Sequence, residues 1–239
     1  MSSHVSERSN IHKGNTRWRW SARDGTFIVH RDNLEIAIDM PRGKSPTFER
    51  QRIGILQTAA PLFAERGFAS ASMAELANAC GVSKPLLYHY YRGKEELLFD
   101  IANGYIERLI DITAEVRARQ LPPEPHFRAL IEQFMREYEH AQAQHMVLVQ
   151  DVKFLSPSQR ETVEAKERQV VDEFAHVIAA LKPRVGKKGL RVPLAMILFG
   201  MINWTFTWLR ADGSLTYSDM ADIVSDIFLN GAVSPPTRE

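Results

Sequence analysis

The sequence predicts an all-α fold, an N-terminal three-helix helix-turn-helix domain followed by a larger helical domain. Three observations predict it. Apolar residues recur at helical spacing through nearly every segment after residue 45. Ser72 to Leu97, SMAELANACGVSKPLLYHYYRGKEEL, contains two short helices joined by a turn of about three residues. Gly67, Gly81, Pro122-Pro123, Pro183 and Gly231 then punctuate the chain where helices must stop. The expected organisation is 1–44 as a disordered extension or basic arm, 45–93 as the helix-turn-helix domain, 94–233 as the helical domain and 234–239 as a tail.

The first forty residues mix Ser, Asn, Gly and Arg around Trp18-Arg19-Trp20. Across Arg31-Asp32-Asn33, TFIVH and LEIAIDM alternate like a weak β-hairpin. Three readings compete: a basic arm with aromatics that touches nucleic acid, a hairpin that docks on a partner, and a disordered extension ahead of Met40 as the natural start. The third takes precedence, leaving Arg42 and Lys44 as a short basic arm suited to a minor groove.

From Phe48 to Gly67, Ile53, Leu56, Ala60 and Phe63 mark the first helix, with Pro61 inside it. Ser72 caps a second helix, Met73 to about Cys80, and Gly81 supplies the positive φ of the turn. Ser83 caps a third, with Pro85 in its first turn, where a missing N–H costs nothing. It ends near Tyr91, and Lys94 opens a helix running to about Gln120, roughly 40 Å long at 1.5 Å per residue. Further helices are expected from Glu124 to Ala143, His145 to Leu155, Pro157 to Leu181 and Leu190 to Arg210, and from Tyr217 or Ser218 to Asn230.

Two short helices joined this way cross steeply, so the second can enter a major groove while the first braces it. Ser83, Lys84, Pro85 and the N–H groups of its first turn suit phosphate or base edges, and Leu86 suits a thymine methyl. Leu87 and Tyr90 face inward, while Tyr88 and His89 fall on the outer face. Lys94 adds a cation beside the positive end of the following helix. The net charge of +1 hides an asymmetry: residues 41–94 carry a balance of +5, and residues 95–239 a balance of −5. A basic segment coinciding with the helix-turn-helix is the footprint of a DNA-binding module.

These residues resemble the DNA-binding domain of the TetR family of bacterial one-component repressors, in ILQTAAPLFAERGF (55–68), Gly-Val-Ser-Lys, Leu-Tyr-His-Tyr and Lys-Glu-Glu-Leu. The resemblance covers about 50 residues. It implies a homodimer of all-α subunits, a double-stranded DNA operator bound by two such domains, and a C-terminal pocket whose small-molecule effector releases the DNA. Many members have Thr where this chain has Ala71, which leaves Ser70 or Ser72 to meet that phosphate.

LAMILFGMINWTFTWL is apolar nearly all round and needs burial on more than one side. In the family the last two helices pair with their copies. The resemblance thereby makes Leu198, Met201, Thr205, Trp208, Ile223 and Ile227 interface residues, against the alternative of an ordinary core helix. HMVLVQDVKFLSP (145–157) and GMINWTFTWLRADG (200–213) are similar to segments of the branch that responds to acyl-CoA thioesters. An apolar tunnel lined by Phe134, Met146, Phe154, Phe174, Trp204 and Phe206 would then hold an acyl chain, with Gln150 or Asn203 at its carbonyl. Lys153 and the link Arg184, Lys187, Lys188 and Arg191 would meet phosphates. Equally, these aromatics pack the core and the link is solvated, and a xenobiotic effector is the runner-up.

The sequence contains no glycine-rich phosphate loop, HExxH, CxxC or nucleophile with an evident base, so neither catalysis nor a cofactor is expected. His140, His145 and His176 lack the i, i+4 spacing of a helical metal site. Cys80 is the single cysteine and reads as a packing residue. With no apolar run of membrane length and no signal-like start, a cytoplasmic protein without a membrane partner is expected.

Overall fold

A computed structural model describes residues 16–21, 26–31, 34–38, 46–181, 189–210 and 212–232. The chain divides into two units, Met1–Ile53 and Gly54–Glu239. In the first, β1 (Thr16–Ser21), β2 (Thr26–Arg31) and β3 (Leu34–Ile38) form an antiparallel sheet in the order β1-β2-β3. The register opposes Trp18 to Val29 and Trp20 to Phe27, and Val29 in turn to Ile36. Residues 16–21, 26–31 and 34–38 of the supposed disordered extension therefore form paired strands: the alternation in TFIVH and LEIAI becomes β2 and β3, and the Trp-Arg-Trp cluster supplies β1. Arg42 and Lys44 lie outside the described residues.

Helix α1 (Pro46–Arg66) continues through the exposed Pro61 and buries Ile55, Ala59, Ala60 and Phe63. Ile53, expected on that stripe, is exposed, because at about 100° per residue it lies about a quarter turn from the centre of the face that Ile55, Ala59, Ala60 and Phe63 share. Gly67 ends α1 at φ +77°, its N–H donating to the Phe63 carbonyl at 2.8 Å. Next come α2 (Met73–Ala79), α3 (Lys84–Tyr90) and α4 (Lys94–Ala118). Helix α4 buries Leu98, Ile101, Ala102, Tyr105, Ile106, Leu109, Ile112 and Val116 along one side, a repeat of three and four that commits it to the core over its full length.

The remaining helices are α5 (Pro123–His140), α6 (Gln142–Asp151) with a 3₁₀ turn at Val152–Phe154, and α7 (Pro157–Leu181). They are followed by α8 (Arg191–Asn203) with a 3₁₀ turn at Trp204–Thr207, then α9 (Tyr217–Ile227), which passes into a π turn at Phe228–Ala232. Helix α4 packs on α5, α6 and α7, α8 on α7, and α9 on α5. The single helix expected from Leu190 to Arg210 is thus shorter. After Asn203 the chain tightens to i+3 bonding, with the Thr205 hydroxyl donating to the Ile202 carbonyl at 2.6 Å. Among the described residues no helix is long and apolar enough to cross a membrane.

Candidate functional site

Local sequence builds the helix-turn-helix. Ser72 and Glu75 close a capping box: the Ser72 Oγ accepts from the Glu75 N–H at 3.3 Å, and a Glu75 carboxylate oxygen accepts the Ser72 N–H at 3.0 Å. The Ser72 hydroxyl also donates to that carboxylate at 2.8 Å, and these bonds hold the Glu75 carboxyl below its usual range. The Ser72 hydroxyl is therefore taken up by the cap, while Ser70, the other residue expected to stand in for a threonine at Ala71, is exposed. Gly81 makes the turn at φ +65°. The Ser83 Oγ then accepts from the Leu86 N–H at 3.3 Å and Pro85 pre-sets the first turn of α3.

One face of α3 is anchored by Leu87, which is fully buried. Around this anchor Ser83, Lys84, Pro85, Leu86, Tyr88 and His89 are all exposed, Pro85 and His89 on the side away from Leu87 and the others flanking it. Leu86 is 39% and Tyr88 44% exposed, so this short helix offers apolar surface as well as a cation to the outside.

Lys94 departs from the expected role. Its ammonium donates to the carbonyls of Phe68 (2.9 Å), Ala69 (3.1 Å) and Ala71 (3.0 Å), and it lies 4.5 Å from the centre of the Phe68 ring. An ammonium has three N–H bonds, and three carbonyls take them. Lys94 thus fastens the α1–α2 loop to the start of α4 rather than reaching outward.

Phe68 is the meeting point of a second set of contacts. Phe154, beyond α6, stacks on it with ring centres 5.2 Å apart, and Phe63 meets it edge-on at 5.4 Å. Burial raises the Asp151 carboxyl, which Lys153 and the Phe68 backbone N–H partly offset. The end of α6 is thereby joined to the loop that carries the helix-turn-helix.

The same helix forms one wall of a cavity of about 190 Å³. Its lining comes from Ile106 and Leu109 of α4, Tyr138 of α5, His145, Leu148 and Val149 of α6, Glu167, Val170 and Val171 of α7, and Met196, Phe199 and Asn203 of α8. The Tyr138 hydroxyl donates to the Asn203 side-chain oxygen at 2.7 Å, and the Tyr138 ring stacks on His145 at 3.9 Å. Burial lowers the His145 ring to a pKa of about 4, opposed by the Asn203 backbone.

Residues 55–101 match the family model for bacterial regulatory proteins of the tetR family, and residues 120–232 match the tetracyclin repressor-like C-terminal domain. A TetR-family transcriptional regulator from Bordetella parapertussis 12822 superposes with a TM-score of 0.74 at 30% identity, covering 80% of this chain and 100% of that one. This chain belongs to the TetR family. The transcriptional repressor KstR2 of Rhodococcus jostii RHA1 is 29% identical over 191 residues, 77% of this chain and 92% of that protein. AibR, solved in complex with isovaleryl coenzyme A and operator DNA, superposes with a TM-score of 0.64 at 26% identity, covering 74% of this chain and 97% of that one.

For this TetR-family regulator, the expected ligand residues scatter. Asn203 lines the cavity, and Phe206 lies edge-on to His145 at 5.8 Å. Phe134 and Phe174 instead form a buried edge-to-face pair at 4.9 Å, a knot of core packing. Phe154 serves Phe68, with Lys153 over its ring at 5.2 Å. Gln150 and Trp204 are exposed, and Met146 is half-buried outside the cavity wall. Arg184, Lys187 and Lys188 lie outside the described residues, whereas Arg191 opens α8 exposed.

The expected dimer residues of this TetR chain divide similarly. Trp208, Ile223 and Ile227 are exposed, Met201 is half-buried, and Leu198 and Thr205 are buried within the subunit. Met196, Ile197 and Trp204 take the outer positions instead, beside an exposed Gly200. A strongly apolar helix shows no preferred face in its own sequence, and the 3₁₀ turn rotates the residues after Asn203 away from the 3.6-residue repeat. Sequence reasoning missed Tyr138 and most of the cavity wall. The available signal was His145 in an otherwise apolar helix face, since a buried histidine needs partners.

Proposed function

We propose that this TetR-family chain is a homodimeric repressor that holds a palindromic operator through paired α3 helices and releases it when a small apolar effector, such as an acyl-CoA thioester, fills the α4–α8 cavity. The observation that carries the reading is the exposed surface of α3, where Lys84, Leu86 and Tyr88 stand open on a helix anchored by the buried Leu87. Exposed apolar residues beside a cation are costly decoration on a free surface and suitable chemistry for base edges and phosphates. The likeness to AibR, whose structure holds both isovaleryl coenzyme A and operator DNA, supports the effector class.

Lys84→Ala and Tyr88→Phe should each weaken operator binding about 5- to 30-fold, the range for losing one charge-assisted or phosphate-directed hydrogen bond. Lys84→Ala should also lower the salt slope by about 1 per α3 helix. Fluorescence anisotropy on labelled operator measures both. Unchanged affinity and slope in the two variants would remove α3 from the interface.

Coupling runs through α6. His145, Leu148 and Val149 face the cavity, while Asp151 and then Phe154 meet Phe68. A ligand that displaces α6 therefore moves the support of the α1–α2 loop. Phe154→Ala should lower stability by only about 1 kcal/mol, the worth of an aromatic pair. It should nevertheless reduce the effector's influence on operator affinity from tens-fold to a few-fold, and by linkage reduce the operator's influence on effector affinity equally. Paired titrations with and without operator measure this, and a wild-type coupling factor in the variant would break the proposed route.

A further inference from the structure

Two buried side chains in this region, His145 on the cavity wall and Tyr105 beside it, have polar atoms without a hydrogen-bond partner. His145 is buried, and neither ring nitrogen meets hydrogen-bond geometry with a partner, although the Asn203 backbone lies close enough to oppose the lowering of its pKa. The buried Tyr105 hydroxyl, whose ring lies edge-on to His145 at 5.9 Å, is likewise unpartnered. Tyr138 cannot serve His145, because it stacks on the imidazole face and gives its hydroxyl proton to Asn203. Buried polar groups are normally satisfied, so orphaned nitrogens at a cavity wall mark the place where a ligand's polar atom belongs.

The charge of the wall decides which polar atom that is. Among the described residues no lysine or arginine lines the cavity, and its one carboxyl is that of Glu167. Burial and the neighbouring Glu164 push that carboxyl upward against the pull of Arg168. The His145 ring, held low by burial, is neutral near pH 7 and offers one N–H donor and one acceptor. An anion entering here meets a carboxyl and no cation, whereas a neutral carbonyl oxygen meets an N–H that lacks an acceptor.

We propose that the cavity selects uncharged carbonyl compounds with a short apolar chain (esters, thioesters or amides), held at the carbonyl oxygen by His145, and excludes the corresponding free carboxylates. The proposal rests on the effector reading above only in taking this cavity as the effector site. Its apolar wall, from Ile106, Leu109, Val170, Val171 and Phe199, receives the chain, while His145 on the same wall receives the carbonyl.

The test uses the full-length protein with hexanoyl-CoA, methyl hexanoate and hexanoate, followed by calorimetric titration at neutral pH. The thioester and the methyl ester should bind at least about tenfold more tightly than hexanoate. His145→Phe, which keeps a ring and removes both nitrogens, should lose about tenfold in ester affinity and none for heptane. Glu167→Gln, which removes the one carboxyl of the described cavity wall, should raise hexanoate affinity several-fold and narrow the ester-to-hexanoate affinity ratio by the same factor. Equal binding of acid and ester, no binding of any probe, or hexanoate affinity insensitive to Glu167→Gln overturns the proposal. Should His145→Phe fail to fold, the Glu167→Gln comparison still decides. Operator anisotropy on the same samples separates the two readings: ester binding without operator release sinks the effector reading alone, and release by hexanoate alone sinks this one.

Discussion

Trp204→Glu combined with Trp208→Glu is expected to yield a folded monomer that binds operator about 10²- to 10⁴-fold more weakly than the parent protein. Trp204 is 64% and Trp208 51% exposed in the subunit, beside the exposed Ile197, Ile223 and Ile227. An indole left this open exposes some 150 Å², and burying it against a partner is worth roughly 4 kcal/mol at 25 cal/mol per Å². In the proposed dimer, replacing two such rings on each subunit by carboxylates puts like charges in the interface and reverses the sign of the interaction. Operator affinity of the proposed dimer falls when dimerisation is lost, because each subunit alone would hold one half-site and the second contact ceases to be intramolecular. Light scattering gives the mass and anisotropy the affinity. A dimer with full operator affinity would place the interface elsewhere. Leu198→Ala is the informative contrast: Leu198 is buried inside the subunit, so it should cost about 2–5 kcal/mol of stability while the dimer persists.

Lys94→Ala should destabilise the protein by about 2–4 kcal/mol and reduce operator binding without changing its salt slope. The ammonium closes three carbonyls of the α1–α2 loop, at Phe68, Ala69 and Ala71, and caps the Phe68 ring. Removing it leaves part-buried acceptors without a donor, at about 1–3 kcal/mol for each that water fails to reach. Operator binding suffers because the loop positions α2 and hence α3. The salt dependence distinguishes this from direct phosphate contact, since losing one phosphate contact lowers the slope by about 1. A thermal midpoint equal to the parent's, with a reduced slope, would restore Lys94 to the DNA face.

The helix-turn-helix is the most legible part of the chain because its signals are local. Ser72 and Glu75 bond each other three residues apart, Gly81 turns at its own φ, and Ser83 with Pro85 opens α3 within one turn. The solvent-facing residues of α3 are equally readable, since a seven-residue helix with one buried leucine has its faces set by spacing. The role of Lys94 is not readable, because its acceptors lie 23 to 26 residues earlier in the chain, where helical periodicity carries no information. The strands at 16–38 are half legible, through the alternation of β2 and β3, while pairing of Trp18 and Trp20 with β2 depends on a partner that the segment itself does not announce.

The sequence by itself determined the helix-turn-helix, its capping, the basic balance around it and the membership that these imply, because such features depend on neighbours within a few residues. The tertiary structure alone decided which faces of the apolar helices are inward. It placed Phe134, Phe174, Leu198 and Thr205 in the core, Trp204 and Ile197 outside, and His145, Tyr138 and Asn203 together from three different helices. The reason is physical: an apolar helix has no polar face to give its orientation, so only the volume available between α4, α5, α7 and α8 chooses which side chains are buried and which enclose a cavity.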